Sequence, residues 1–135
     1  MALNVSLLRD SFAVVATANP KFIARFYEIL FERYPQTKAM FPPGGEARQA
    51  EMLTGALVAV LDHLEDAPWL QNTLGALGAK HVDYGVTLEM YDWVGASLLA
   101  TLAEVAGPAW SPELHAAWAE AYGAIVSLMQ SRVKA

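Results

Sequence analysis

The chain has 135 residues, of which 55% are apolar and 17% charged, with a mean hydropathy of +0.27 and a net charge of −5. Because it contains no cysteine, the composition excludes disulfide frameworks, metal sites built on thiolates, cofactors attached through paired cysteines and thiol nucleophiles. The nine Lys and Arg residues form no basic stripe, so we expect no nucleic-acid partner.

The first residues carry no basic lead-in to an apolar run and therefore do not resemble a signal peptide. No apolar run approaches the ~18–20 residues that a bilayer crossing needs. We expect one cytoplasmic domain, residues 1–135, with no membrane partner.

Helical periodicity follows the chain almost throughout, and neither hairpin turns nor strict alternation predict a strand. Prolines mark several helix starts, since a first-turn residue needs no N–H donor. The segment from Phe41 to Gly45 is irregular because its prolines and glycines suit neither helix nor strand. The predicted helical segments are 4–18, 20–33, 35–40, 46–65, 68–82, 88–106 and 111–132. The sequence thus predicts an all-α fold of about seven helices.

Three histidines are candidates for metal ligation. We expect His115, among small and polar residues, to be solvated, and His63 to lie at the surface near acidic residues and a helix end. His81 follows the apolar face of a predicted helix that carries Leu74 and Leu77, and an irregular segment comes after it. Alone, such a histidine is more often a core or rim residue than a ligand, so its role depends on the rest of the chain.

Several other residues are each a weak signal alone, but together their order and spacing form a specific pattern. They are Phe26-Tyr27, Leu30-Phe31, Pro35, Phe41, Gln49, Leu53, Lys80-His81, Tyr91 and the segment from Trp118 to Gly123. This pattern, which extends over the whole chain, resembles the globins, and most closely the bacterial single-domain globins and the globin domains of flavohaemoglobins. The resemblance implies a globin fold packed around a haem pocket.

The resemblance also implies which residues hold the cofactor, a haem b bound without a covalent link. His81 would be the proximal ligand of the iron, and Phe41 would stack on the macrocycle. Tyr27, Gln49 and Leu53 would line the distal side, where a gas binds. The other haem contacts that the resemblance implies are Leu77, Lys80, Val86, Tyr91 and Val94.

Two side chains in this pocket keep alternative interpretations. Glu46 is a rival of Gln49 for the distal polar position, because the loop after Phe41 is shorter than in flavohaemoglobins. Lys80 is either a solvated charge or the partner of a haem propionate, with its stem along apolar surface. Which of Tyr27 and Gln49 dominates the stabilisation of a bound gas is also left open.

On the proximal side, the resemblance includes a relay of histidine, tyrosine and carboxylate, of which His81 and Tyr91 are present. Val133 stands where the carboxylate would be, fifteen residues after Trp118. Without that anion we expect a less peroxidase-like iron. We also expect His81 to donate its other ring N–H to a main-chain carbonyl, that of Leu77 being the candidate four residues earlier.

A single neutral imidazole leaves one position of haem iron open to O2, CO or NO. The phenol O–H of Tyr27 and the amide N–H of Gln49 would stabilise O2 there, which predicts high affinity and slow release. The expected role is O2 scavenging, storage or facilitated transport. The alternative is NO dioxygenation with a separate reductase, since the chain stops at Ala135 before any flavin domain.

Two further hypotheses are a gas sensor that acts on an output partner and a helical interaction module without haem. The sequence is compatible with a monomer and with a homodimer.

Overall fold

The structure is a computed structural model that describes residues 4–41, 44–83 and 85–130, except for the side chain of Glu46. Its α-helices are α1 (Val5–Ala18), α2 (Phe22–Arg33), α3 (Glu46–Asp62), α4 (Ala67–Asp83), α5 (Leu88–Ala106) and α6 (Pro112–Gln130), with 3-10 turns at Pro35–Met40 and Gly107–Ala109. No strand occurs in the described ranges, so the predicted all-α class is confirmed. Among these helices none is long and apolar enough to span a membrane.

Four of the helix starts are fixed by a side-chain oxygen that accepts a main-chain N–H three residues later. The acceptors are Asn4 for α1 (3.1 Å), Asp66 for α4 (3.2 Å), Thr87 for α5 (3.4 Å) and Ser111 for α6 (3.2 Å). Each bond satisfies an N–H that has no partner within its helix, and removing such a cap typically costs about 0.5–2 kcal/mol. The helix starts are therefore encoded locally.

The end of α3 is where the sequence prediction was wrong, since the helix stops at Asp62 rather than at residue 65. His63 terminates it, with ring Nδ1 2.7 Å from the carbonyl oxygen of Ala59 and its ring stacked on Trp69 at a centroid distance of 3.8 Å. His63 is consequently half-buried, whereas we predicted a surface imidazole. His115 is exposed, as expected.

The main core lies where α2 packs against α5, with α1 and α6 along its side. Its fully buried apolar side chains are Leu8, Val15, Phe22, Phe26, Leu30 and Leu102. Trp118 closes this core from α6, and its indole N–H donates to the hydroxyl of Ser11 on α1 at 2.9 Å. The Ser11 hydroxyl in turn donates to the carbonyl of Leu8, so every polar atom in this buried chain has a partner.

A close crossing of α4 and α6 positions the helix that carries His81. Gly78 lies at the contact, and a Cβ added there would overlap the main chain of Met129 on α6. Because the obstacle is backbone, no rotation of a side chain can make room for it. Because Gly78 has no side chain, the last turn of α4 can pack directly against the main chain at the end of α6.

Substituting Gly78 by alanine should destabilise the fold by about 1–3 kcal/mol, the usual cost of overpacking. The matched control is Gly123→Ala on α6, where an added Cβ meets no atom within 4 Å. That change should stabilise the helix by about 0.5–1 kcal/mol, because alanine loses less backbone entropy than glycine. Urea unfolding of both variants measures the two effects, and a Gly78→Ala protein as stable as the parent would refute the tight crossing.

Candidate functional site

An aromatic cluster forms where the end of α2 meets the chain that follows it. The rings of Tyr27 and Phe41 have centroids 5.5 Å apart, as do those of Phe31 and Phe41, and Tyr27 and Phe31 are separated by 5.8 Å. One helical turn separates Tyr27 from Phe31, so α2 presents both on one face. Phe41 comes to them because the 3-10 turn Pro35–Met40 redirects the chain.

Gln49 on α3 completes a small cavity together with these three rings. The cavity has a volume of about 10 Å³, close to the space that one water molecule requires. Its walls come from three aromatic residues and Gln49, and the surface that they present to the cavity is apolar. The sequence predicted Tyr27, Phe41 and Gln49 for one pocket, and the structure brings them together, with Phe31 as an additional wall.

Tyr27, which lines this cavity, keeps its phenol proton at neutral pH. Burial raises the pKa of Tyr27 to about 12, because the phenolate would lose its hydration. The hydroxyl donates to no residue that the structure describes, so it keeps its capacity to donate a hydrogen bond.

His81 lies half-buried in the last turn of α4, where its own helix fixes its orientation. Its Nδ1 is 2.8 Å from the carbonyl oxygen of Leu77, four residues earlier. A carbonyl can only accept, so Nδ1 is the donor of this bond, and in the neutral ring the lone pair then lies on Nε2. The expected bond from His81 to Leu77 is present, and it selects the tautomer whose Nε2 has the chemistry of a metal ligand.

Tyr91 on α5 lies beside His81, with ring centroids 6.2 Å apart and planes inclined by 23°. It belongs to a buried cluster with Val60, Leu74 and Met129, against which Leu77 and Val86 pack. The hydroxyl of Tyr122 on α6 donates to the main-chain carbonyl of Tyr91 at 2.6 Å and so fixes its backbone. Sequence reasoning placed Tyr122 in a helix signature but missed this contact, which joins residues far apart in the chain.

The remaining predicted site residues fall into two groups. Leu53 and Val94 pack, half-buried, on the same core as Tyr27 and Phe31, while Leu77 and Val86 belong to the cluster around Tyr91. Lys80 is exposed and forms no ion pair with a carboxylate in the described part of the chain. The side chain of Glu46, the rival of Gln49, and the whole of Val133 lie outside the described residues.

The apolar side chains of this region are less completely buried than those of the core. Phe41, Leu53, Leu77, Val86 and Val94 are all half-buried, whereas Phe26 and Leu30 are 1% exposed. A flat apolar cofactor lying against them would remove this surface from water. The residues present fit a haem, because haem iron requires one imidazole nitrogen from the protein as its axial ligand. Within the described residues, no cluster of three or more histidine and acidic side chains offers a metal site made of protein ligands alone.

A larger cleft, of about 210 Å³, lies between α2 and α5 away from these residues. Arg25 spans it, with guanidinium nitrogens 2.6 and 2.8 Å from the two carboxylate oxygens of Glu104. Glu32 and Arg33 add further charges of both signs to the lining. The cleft is polar and open to solvent, and Arg25 and Glu104 at its centre pair with each other, so we do not assign it a ligand.

Comparison with known proteins places these observations in a family. The family model "Globin" matches residues 24–129. A flavohemoprotein of Rhodopirellula baltica is 32% identical over 130 residues, covering 95% of this chain and 32% of that protein. The chain thus spans about a third of the length of the curated relatives it matches.

Two solved structures show the same architecture. A bacterial globin from Campylobacter jejuni is 25% identical with a TM-score of 0.79, covering 93% of this chain and 90% of its own. An engineered carbene transferase derived from a candidate nitric oxide dioxygenase of Rhodothermus marinus is 28% identical with a TM-score of 0.82, covering 97% and 93%. The arrangement of the helices and the match of the family model agree, and the chain belongs to the globin family.

Proposed function

We propose that the protein binds haem b through Nε2 of His81 and uses it to bind O2, and also CO and NO, with high affinity. The observation that carries this proposal is the hydrogen bond from His81 Nδ1 to Leu77. It fixes the tautomer and the ring orientation that a neutral axial ligand requires. The haem, when bound, supplies an iron with one position open to a diatomic gas.

The residues of the aromatic cavity would act on the gas. Tyr27 would donate a hydrogen bond from its hydroxyl to an O2 molecule, and Gln49 would donate a second one from its amide N–H. Phe31 and Phe41 would exclude water, which makes each of these hydrogen bonds stronger. Leu53, one turn after Gln49, would close the apolar wall. The expected consequence is slow release of O2.

The residues around Tyr91 would hold the other face of the cofactor. Leu77, Val86 and Val94 would form apolar contacts with the haem, and Tyr91 would pack against the imidazole of His81. Lys80 is exposed in the last turn of α4. Its ammonium group would therefore reach a propionate at the edge of the haem, with the stem lying along apolar surface.

Titration of the purified protein with haemin tests this function. We expect a Soret band that saturates at one haem per chain. After reduction we expect a five-coordinate ferrous spectrum that changes to a six-coordinate one with CO. A Soret band that grows linearly without saturation, as for haemin bound nonspecifically to protein surface, would rule out a dedicated site.

A second candidate function is NO dioxygenation, in which NO and O2 with one electron from a separate reductase give nitrate. The flavohemoprotein relatives and the likeness to the Rhodothermus marinus protein favour it. Adding NO anaerobically to the O2-loaded protein should then yield nitrate stoichiometrically, and repeated turnover should require an added flavin reductase with NADH. Turnover no faster than that of free haemin would leave O2 binding as the function.

A further inference from the structure

Phe31 lines the small cavity through its ring, although the sequence did not predict it for this pocket. The cavity has a volume of about 10 Å³, and its other walls are Tyr27, Phe41 and Gln49. Tyr27 and Gln49 carry hydrogen-bonding groups, and Phe41 is the residue expected to stack on the haem. Phe31 has neither a polar side-chain atom nor an expected contact with the haem. It can therefore act on a bound gas only through the space that its ring leaves.

The ring of Phe31 is confined by its neighbours. It lies 5.8 Å from the ring of Tyr27, one helical turn earlier on α2, and 5.5 Å from the ring of Phe41. Tyr27 packs in turn on Phe26 at 5.0 Å, and Phe26 is buried in the core. The main-chain N–H of Phe41 donates to the carbonyl of Lys38 at 3.2 Å and so holds the other side. A larger guest could enter only by displacing an aromatic ring, because close-packed side chains leave little room to shift.

We propose that Phe31 sets the size limit of this cavity and thereby restricts the bound ligand to diatomic molecules such as O2, CO and NO. The inference rests on the proposed function, because it concerns the gas that would bind to the haem, but the size of the cavity does not require the cofactor. The space is close to that of one water molecule. An apolar pocket typically discriminates by about 10–200-fold between guests that differ by one methylene group.

The lining residues would then have separate effects on a ligand. Hydrogen bonds from Tyr27 and Gln49 would determine how long a diatomic gas stays bound, whereas the ring of Phe31 would determine which ligands fit. Shortening the side chain of Phe31 removes no hydrogen-bond donor, so it should alter the selectivity for ligand size while CO still binds.

The first experiment uses xenon on haem-free protein, since xenon is larger than a water molecule and binds apolar cavities that can hold it. The protein is labelled with ¹³C at tyrosine Cζ, and the Tyr27 signal is assigned from its loss in Tyr27→Phe. Xenon should leave this signal in place in the parent and shift it saturably in Phe31→Ala. Phe31→Leu should give a smaller shift of the same kind, which keeps the test valid if Phe31→Ala does not fold. The control is Phe12→Ala, because Phe12 packs on Phe22 and Trp118 and should leave the Tyr27 signal as in the parent. A saturable shift in the parent, or none in the folded Phe31 variants, would overturn the proposal.

The second experiment compares two ligands of the haem-loaded, ferrous protein. Ethyl isocyanide binds haem iron through its terminal carbon, as CO does, but carries a longer tail. Its affinity relative to that of CO should rise by about tenfold or more in Phe31→Leu, the lower end of what one methylene group is worth in an apolar pocket. Phe12→Leu, the same change away from the cavity, should match the parent. An unchanged ratio in Phe31→Leu would contradict the size limit. A parent protein that does not bind CO would instead count against the proposed function.

Discussion

His81→Ala should abolish the five-coordinate ferrous spectrum and weaken haemin binding by more than about 100-fold. The bound is conservative, because losing only an outer hydrogen-bond partner of a metal ligand typically costs about 10–100-fold in affinity. His81 is the histidine whose Nδ1 is occupied by a carbonyl of its own helix while its ring lies beside Tyr91. Haemin titration and the spectrum after reduction measure both effects.

The matched control is His115→Ala, which removes an exposed histidine from α6 and should leave haem binding unchanged. Adding free imidazole to His81→Ala should restore the five-coordinate spectrum in part, because the small molecule can occupy the space of the lost ring. Normal ligation in His81→Ala without imidazole would mean that another residue holds the iron.

Tyr27→Phe should accelerate O2 dissociation by roughly ten- to a hundredfold. The phenol O–H is a donor to a partly charged acceptor in an apolar cavity, and such bonds are worth about 1.5–3 kcal/mol, where ~1.4 kcal/mol is tenfold. Phenylalanine keeps the ring contacts with Phe31 and Phe41, so the change isolates the hydroxyl. Stopped-flow displacement of O2 by CO measures the rate.

Tyr34→Phe is the control for this experiment, because Tyr34 stacks on Trp93 at 5.2 Å and does not line the cavity. Its O2 release should match that of the parent. Gln49→Leu tests the second donor and shows which of the two dominates. If neither Tyr27→Phe nor Gln49→Leu changes release by more than about twofold, or ~0.4 kcal/mol, the polar groups of the cavity do not stabilise O2.

The pH dependence of O2 release follows from the protonation of Tyr27. Because burial raises the pKa of Tyr27 to about 12, the donor stays intact through the neutral and moderately alkaline range. The dissociation rate should therefore be flat there and rise only as the phenol begins to ionise. A rate that rises near neutral pH would mean that a different group provides the stabilising proton.

Local signals in the sequence were sufficient for most of the fold. The starts of α5 and α6 were predicted to within one residue, because the caps that fix them, Thr87 and Ser111, act over only three residues. The end of α3 was not recognisable, since it depends on His63 stacking on Trp69 of the next helix. The close contact at Gly78 could not be predicted either, because a glycine within a helix does not indicate which backbone will pack against it.

In the candidate site, too, contacts within one helix could be predicted from the sequence and contacts between helices could not. The bond from His81 to Leu77 follows from helix geometry at a spacing of four residues, and the sequence was enough to expect it. The hydrogen bond from Tyr122 to the main chain of Tyr91 joins two different helices, α6 and α5. Periodicity within one helix carries no information about such contacts, so they required the structure.

The proposed bond between His81 Nε2 and haem iron can be observed by resonance Raman spectroscopy. The ferrous, gas-free protein is measured with natural and with ¹⁵N-labelled histidine. We predict one iron–histidine stretching band that moves to lower frequency on labelling and is missing in His81→Ala. A band insensitive to the label, or one that persists in His81→Ala, would show that His81 does not hold the iron.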